Sequence, residues 1–299
     1  MLSSMYLLWN LQTLIIKGNR LEIMAPSEIW KMTQLRHVEL EKLCLPDPPS
    51  LEDRQGDFVL GNLQTLLEIL NFKCGEEVVK RIPNIKKLKV SYGNFSDGIK
   101  SGSRYCLINL VHLHKLESFS CDFHSTWWKP RRSDLLENLY SPHSLKKLTL
   151  CGCKLHWEDI TTKVGSLPLL EVLKLVGSFK GVDWTPVEDQ FCRLKFLLIN
   201  DSRDDLEYWN ADNTHFPCLE QLFLRGFTKL NEIPSSIGDI STLWLIDLDN
   251  CSDTTVVSAK KILDEQEEFG NMDLQIRVHF RENNDLESLA GRNFQVKTW

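Results

Sequence analysis

The sequence predicts an α/β solenoid, and two regularities in the placement of its apolar residues carry that prediction. Apolar anchors recur along the 299 residues at intervals of 24, 28, 22, 31, 29, 25, 24, 25 and 24. The ten anchors are Leu11, Leu35, Leu63, Ile85, Leu116, Leu145, Leu170, Leu194, Leu219 and Leu243. Every anchor is followed three positions later by another apolar residue, and nine of the ten by a third at plus five, with Glu68 the exception. This period and spacing are typical of leucine-rich repeats.

Two segments, 11–21 and 145–155, match the whole leucine-rich template and fix which strand positions face inward. In the second segment, Leu148 and Leu150 lie two residues apart and point to one side of a short strand, whereas Lys147, Thr149 and Cys151 point to the other side. The position three before the anchor is also apolar in nine of the ten repeats. Because one repeat cannot offset its own backbone entropy, we expect a single stacked array over 1–254. Its ten repeats would form a horseshoe with a concave parallel β-sheet.

The segment after the last repeat has the pattern of a terminal cap. Residues 255–269 show helical periodicity, with Val256, Ala259, Ile262 and Leu263 on one face, and residues 274–280 alternate as a strand does. We therefore predict a helix-strand cap over 255–280, followed by a disordered polar tail over 281–299. No cap precedes the first repeat, which predicts that the chain continues N-terminally in a parent protein or is a truncated product.

Composition excludes several classes of partner. The net charge of -6 and the pI near 5.8 give no general attraction to nucleic acid or anionic membranes. No stretch approaches the apolar length of a transmembrane helix. The apolar start of the chain lacks a basic region and already follows the repeat register, so it predicts a repeat instead of a signal peptide. Nine cysteines, several of them on repeat positions, indicate reduced core residues and an intracellular protein.

No motif supports catalysis, a cofactor or a metal. The sequence lacks a phosphate-binding loop, a nucleophile elbow and an H-E-x-x-H helix. The Cys151-Gly152-Cys153 pair has no second pair to complete a metal site. We therefore expect no enzymatic activity, no bound cofactor and no metal.

The outward strand positions are left to select a partner. They are mostly basic in the centre of the chain, at Lys86, Lys87, Lys89, Lys146, Lys147, Lys174 and Lys195, and acidic near its end, at Asp247 and Asp249. Aromatic residues and an arginine enter the same rows in the last three repeats, at Phe196, Phe223, Arg225 and Trp244. These residue types are enriched in protein-binding hot spots. The lysines are equally consistent with simple solvation, and the aromatics with contact to the cap.

Insertions lengthen the middle repeats. The segment from Tyr92 to Cys106 is rich in Gly and Ser and predicts a mobile loop. The segment from Trp127 to Arg132 places two tryptophans beside three cations. It is interpreted either as a contact site for a partner or nucleic acid, or as an insertion whose tryptophans pack on the edge of the array.

Several stretches resemble a known family. Segments 26–35 and 234–243 share a P-S-x-I form that is similar to plant leucine-rich repeats. Most of 1–280 resembles the repeat region of solanaceous late-blight-resistance-type immune receptors, above all the stretches SEIWKMTQLRHVELEKLCLPDPP, EEVVKRIPNIKKLKV and SAKKILDEQEEFGNMDLQIRV. The alternatives are the repeats of a ubiquitin-ligase adaptor, which would need a helical docking segment, and an extracellular receptor fragment, which would need paired cysteines.

The resemblance implies a cytoplasmic protein-interaction role. In that family the repeats hold a nucleotide-binding switch module inactive through N-terminal contacts and sense a pathogen effector, or its host target, through C-terminal ones. The basic rows at Lys86 to Lys89 and Lys146 to Lys147 would suit an acidic nucleotide-binding module, and the aromatic rows would suit recognition. The switch module is not found in this sequence, so ATP binding is not carried over.

Overall fold

In a computed structural model of the chain, the described residues are 8–17, 23–49, 58–93, 107–124, 142–153, 155–177, 179–200, 206–280 and 285–298. The segment from Trp127 to Arg132 and most of the glycine-rich loop after Tyr92 lie outside them. The chain divides into two compact units, Met1–Lys146 and Lys147–Trp299. Both units are built mainly from parallel strands joined by short helices and turns.

The described part of the first unit has six strands and a one-and-a-half-turn helix. The strands are β1 (Thr13–Lys17), β2 (Ile23–Met24), β3 (His37–Cys44), β4 (Thr65–Leu70), β5 (Lys87–Gly93) and β6 (Ser118–His124), and the helix is α1 (Glu76–Arg81). Two 3-10 helices, Ser27–Lys31 and Leu107–His112, fill other connections. The parallel order is β1-β3-β4-β5-β6, with β2 beside β3. Five of the ten predicted strands are therefore present in this unit.

The core of the first unit follows the repeat pattern. The anchors Leu35, Leu63, Ile85 and Leu116 are all buried. Glu68, which breaks the apolar pattern at plus five, lies in a bulge of β4. There the three-residue step from Leu66 to Ile69 pairs with the two-residue step from Leu88 to Val90 on β5. The extra residue is Glu68, with a left-handed φ of 59°. Ile69 therefore takes the inward place and is buried.

Polar side chains tie the connections of the first unit to its strands. The buried Arg81 donates to the carbonyl oxygen of Pro49 at 2.7 Å and to that of Phe58 at 3.1 Å. The Tyr92 hydroxyl donates to the Phe72 carbonyl at 2.9 Å. These hydrogen bonds compensate the burial of polar groups and fix where the connecting chain lies on the core.

The second unit has eleven strands among its described residues. They are β7 (Lys147–Cys151), β8 (Leu155–His156), β9 (Val172–Val176), β10 (Phe179–Lys180), β11 (Asp183–Trp184), β12 (Phe196–Asn200), β13 (Tyr208–Trp209), β14 (Gln221–Arg225), β15 (Leu245–Asp249), β16 (Gln275–Phe280) and β17 (Phe294–Thr298). The helices are α2 (Trp157–Asp159), which continues into a π-helical turn, Ile160–Val164, and α3 (Asp253–Glu268). Two 3-10 helices are Ser235–Ile237 and Asp285–Leu289. The parallel order is β7-β9-β12-β14-β15-β16-β17, and β8 with β10 and β11 with β13 form two small sheets.

Alternation along these strands confirms the predicted inward set. In β9, β12 and β14 the second and fourth residues are buried and the first, third and fifth are partly exposed. The buried ones include Leu173, Leu197, Leu222 and Leu224, and Leu148 on β7 is likewise buried. Register is uninterrupted from β9 through β15, so the core residues of successive strands lie side by side.

An aromatic stack fills the space behind this sheet. The rings of Trp157 and Trp184 stack with centroids 4.9 Å apart, and those of Trp184 and Trp209 with centroids 5.4 Å apart. The Trp184 Nε1 donates to the Thr161 hydroxyl at 3.0 Å, so the buried indole is satisfied at that nitrogen. Phe191 and Phe216 meet the Trp184 ring edge-on. Such clusters combine large burial with favourable ring geometry.

The C-terminal segment is more ordered than the sequence indicates. Helix α3 begins at the N-cap Ser252, whose hydroxyl accepts from the Thr255 amide at 3.2 Å, and strand β16 follows it. The prediction of a disordered tail over 281–299 is wrong for the described residues 285–298, which form a 3-10 turn and strand β17 paired in parallel with β16. The polar composition obscures two inward residues in this segment, Phe294 and Val296. Phe294 is fully buried against the sheet.

Candidate protein-binding surface

The solvent side of the second unit's sheet consists of three rows of side chains that run across the strands. We call it the second-unit face. The row at the first strand position is Lys147, Val172, Phe196, Gln221, Leu245 and Gln275, of which Leu245 is buried. The row at the third position is Thr149, Lys174, Leu198, Phe223, Asp247, Arg277 and Gln295. The row at the fifth position is Cys151, Val176, Asn200, Arg225, Asp249, His279 and Lys297.

Two of the three aromatic residues predicted on this face, Phe196 and Phe223, lie in contact with each other. The rings of Phe196 and Phe223 stack with centroids 4.9 Å apart, and both side chains are partly exposed. The Lys174 ammonium lies 5.3 Å from the centre of the Phe196 ring, within the range of a cation–π contact. Trp244 stands just before β15 and is 39% exposed. Three neighbouring strands thus present an aromatic surface that a partner can reach.

The acidic end predicted for this face is not an open carboxylate surface. Asp247 is buried, at 8% exposed, and its carboxylate oxygen lies 3.6 Å from Nε2 of His279. Its register neighbours are Phe223 on β14 and Arg277 on β16. Asp247 thus occupies an outward strand position, as predicted, but its carboxylate is buried. The prediction that it is available to a partner is therefore wrong, while Asp249 remains partly exposed.

Two arginines lie on either side of these aspartates. Arg225 is beside Asp249 in register, and Arg277 is beside Asp247. Neither arginine forms an ion pair within the described part of the chain, and Nε of Arg225 is buried without a hydrogen-bond partner there. The guanidinium groups are therefore not committed to partners within the described chain.

Several of the predicted basic positions are neutralised by neighbouring glutamates. Lys89 pairs with Glu68 at 2.5 Å, Lys146 with Glu117 at 3.7 Å, and Lys195 with Glu220 at 2.9 Å. The hydrogen bond and the charge of Glu220 raise the pKa of Lys195. Among the residues described, the exposed side chains of Lys86, Lys87 and Lys147 have no ion pair. The predicted basic centre is thus only partly a free positive surface.

The corresponding side of the first unit is mainly polar. Its rows include Thr13, His37, Thr65, Lys87 and Ser118 at one position and Ile15, Glu39, Leu67, Lys89 and Ser120 at the next. We call this the first-unit face. Large apolar side chains are sparse on it, with Ile15 on the edge strand β1 and Leu67 on β4.

The sequence prediction missed part of the second-unit face. Val172, Val176 and Leu198 occupy outward positions and surround the aromatic pair, and the alternation of the strands would have identified them. They were missed because only charged and aromatic residue types were considered. Arg277 and His279 were missed because the strand that carries them was assigned to the cap.

Within the described residues there is no group of three or more metal-ligating side chains, and no helix is both long and apolar enough to cross a bilayer. The eight cysteines in the described ranges are all free thiols, and Cys106 lies outside those ranges.

Curated relatives of this chain are disease-resistance proteins. It is 29% identical over 294 residues to a putative late blight resistance protein homolog of Solanum demissum, a match that covers 92% of this chain and 20% of that protein. It is 31% identical over 277 residues to a second such homolog of the same species, covering 89% of this chain and 33% of that one. The chain thus spans a fifth to a third of the length of these relatives. No family model matches the sequence.

Among solved structures, the chain is similar to the protein in a crystal structure of a TLR13–ssRNA13 complex. The TM-score is 0.50 at 16% identity, over 93% of this chain and 41% of that one. A likeness at this identity concerns the fold alone. Together with the repeat register of the strands, it confirms the predicted α/β leucine-rich-repeat class.

Proposed function

Because this chain is a leucine-rich-repeat relative of the late blight resistance proteins of Solanum demissum, we propose that it is a protein-recognition module of the plant immune response. Its role is to bind a pathogen effector, or the host protein that the effector modifies, in the cytoplasm. It acts by binding and not by catalysis. The resistance-protein relatives favour this function over the ubiquitin-ligase adaptor.

The observation that carries the proposal is the aromatic and aliphatic patch on the second-unit face. Phe196 and Phe223 stack on an open surface, and Val172 and Leu198 lie beside them in register. Folding alone does not require large apolar side chains at outward positions, since the first-unit face carries mainly polar ones in equivalent rows. Partly exposed aromatics beside arginine are the composition of protein-binding hot spots.

A second contact is proposed for the first-unit face. Lys86 and Lys87 are exposed cations without an ion pair in the described chain, at the start of β5. We propose that they contact an acidic nucleotide-binding module of the parent receptor and help to hold it inactive. Lys89 and Lys146 contribute less, because Glu68 and Glu117 already neutralise them.

The proposed function is tested by capture from leaf extract before and after infection, quantified by mass spectrometry. The probe is the purified chain, compared with the triple variant Phe196→Ala, Phe223→Ala, Trp244→Ala. We expect the captured amount of at least one protein to fall by about tenfold or more with the variant. Hot-spot aromatics carry most of the binding energy, and truncating them removes it.

The matched control removes two aromatics that are more accessible but lie off the second-unit face, Tyr208 and Phe269, which are 49% and 82% exposed. The variant Tyr208→Ala, Phe269→Ala should capture the same proteins as the unmodified chain. Equal capture by the triple variant, with its fold intact by circular dichroism, would contradict recognition by this face.

A further inference from the structure

We infer that the partner segment bound on the second-unit face is an extended peptide with an apolar side chain and, two residues later, an aspartate or glutamate. The apolar side chain packs on Phe196 and Phe223, and the carboxylate pairs with Arg225. This inference rests on the proposed function and specifies its chemistry.

The apolar half of the motif follows from the surface around the stacked rings. Val172 lies beside Phe196 in register, and Leu198 lies between Lys174 and Phe223 in the next row. All of these side chains are partly exposed, so an incoming apolar group would remove their remaining surface from water. A single large apolar side chain of the partner would cover the part of this area between β12 and β14, because neighbouring strands lie about 4.8 Å apart.

The acidic half follows from an excess of cations on this face. The outward strand positions carry Lys147, Lys174, Arg225, Arg277 and Lys297, against Asp247 and Asp249. Asp247 is buried beside His279, so its charge is not presented to a partner. The face is therefore locally positive in a chain whose net charge is -6. Charge complementarity of this kind selects partners and steers their approach.

Arginine is suited to hold a carboxylate. Arg225 stands at the end of β14 with no ion pair inside the described chain, and a guanidinium binds a carboxylate through two parallel N–H donors. Asp249 is its register neighbour, but no ion pair joins the two side chains. A carboxylate of a partner would therefore meet an uncommitted guanidinium.

The spacing of the motif follows from strand geometry. Phe223 and Arg225 are two residues apart on β14 and so lie on the same side, about 6.6 to 6.8 Å apart along the strand. An extended peptide has the same repeat, so its side chains at positions i and i+2 match this pair. A single-stranded nucleic acid fits less well, because Asp249 lies among the cations where a phosphate backbone would pass.

The test is selection from a displayed library of random linear peptides on the purified chain. We expect selected peptides to be enriched in an apolar residue followed two positions later by Asp or Glu. Arg225→Glu should invert the second preference to Lys or Arg, a change that mere loss of folding cannot produce. Arg193→Glu is the matched control, since Arg193 is an exposed arginine outside the strands, and it should select the same peptides as the unmodified chain.

The outcomes separate this inference from the proposed function. One outcome is that the selected peptides are enriched in apolar residues without any acidic preference, and that this enrichment is lost with the double variant Phe196→Ala, Phe223→Ala. It would overturn the motif and leave recognition by this face intact. If the double variant selects the same enriched peptides as the unmodified chain, both the motif and recognition by this face are overturned. Binding of a fluorescent oligouridine of about ten nucleotides, without motif enrichment, would identify a nucleic-acid surface and overturn the peptide inference.

Discussion

The two units place the same kind of core behind very different solvent faces. In both, inward strand residues are buried, as Leu88 is on β5 and Leu173 is on β9. The outward residue before Leu88 is the exposed Lys87, whereas the first outward residue of β12 is Phe196, stacked on Phe223. Since the cores are alike, the repeat pattern explains folding, and the difference in function must come from the outward rows.

The comparison also separates cations that form ion pairs within the chain from cations that are free to bind a partner. In the first unit, Lys89 and Lys146 are paired with glutamates of neighbouring repeats. In the second, Lys195 is paired in the same way with Glu220, whereas Arg225 and Arg277 have no ion pair among the described residues. Exposed ion pairs contribute little to stability, but they do remove charge from recognition. Counting basic residues along the sequence therefore overestimates the positive surface of the first unit.

The largest expected effect is a loss of unfolding free energy, and it tests whether the cores of the two units are equivalent. Leu88→Ala in the first unit and Leu173→Ala in the second should each lower the free energy of unfolding by about 2–5 kcal/mol, because both leave a cavity. Urea unfolding followed by far-ultraviolet circular dichroism measures the loss. Leu198→Ala, an outward leucine on β12, is the control and should cost less. Equal losses for Leu173→Ala and Leu198→Ala would show that the assignment of faces is wrong.

A smaller effect compares one outward position in the two units. Phe196→Ala should lower the free energy of unfolding by about 1–2 kcal/mol, because it removes the ring that stacks on Phe223 and some buried area. Thr65→Ala, at the same strand position of β4, should change it by less than about 0.5 kcal/mol. The same unfolding measurement applies. A larger loss for Thr65→Ala than for Phe196→Ala would contradict the contrast between the faces.

The smallest effect concerns the bulge that distinguishes the first unit. Glu68 has a left-handed backbone and an ion pair with Lys89. Both Glu68→Ala and Glu68→Gly remove the ion pair, but only glycine relieves the strain at positive φ. The glycine variant should therefore unfold at a higher urea concentration, with a difference of about 1 kcal/mol. Identical midpoints would mean that the left-handed conformation carries no measurable strain.

The sequence was sufficient for the core because burial in a repeat protein is periodic. Buried residues three positions after an anchor, such as Leu148 and Leu222, follow from spacing alone, and so does the existence of ten strands. In the sequence, the bulge at Glu68 showed only as a missing apolar residue at plus five, because the φ angle of a residue cannot be inferred from composition. Strand β17 was missed because edge pairing depends on a neighbour, β16, and not on the hydropathy of the segment itself.

The candidate surface was harder to predict than the core. Phe196, Phe223 and Arg225 were identified by residue type and position, and their stacking and lack of ion pairs add what the sequence could not show. Asp247 was expected to be accessible because its outward strand position does not reveal that the carboxylate lies buried beside His279 of the neighbouring strand. Whether a charge is free or paired depends on such cross-strand neighbours.

The three stacked indoles of the second unit also have an optical consequence. With ring centroids 4.9 and 5.4 Å apart, the electronic transitions of Trp157, Trp184 and Trp209 couple to one another. The coupling gives this half of the chain its own near-ultraviolet signature, which disappears when the rings separate. Near-ultraviolet circular dichroism can thus report, without any attached dye, whether the unit that carries the proposed recognition surface is intact.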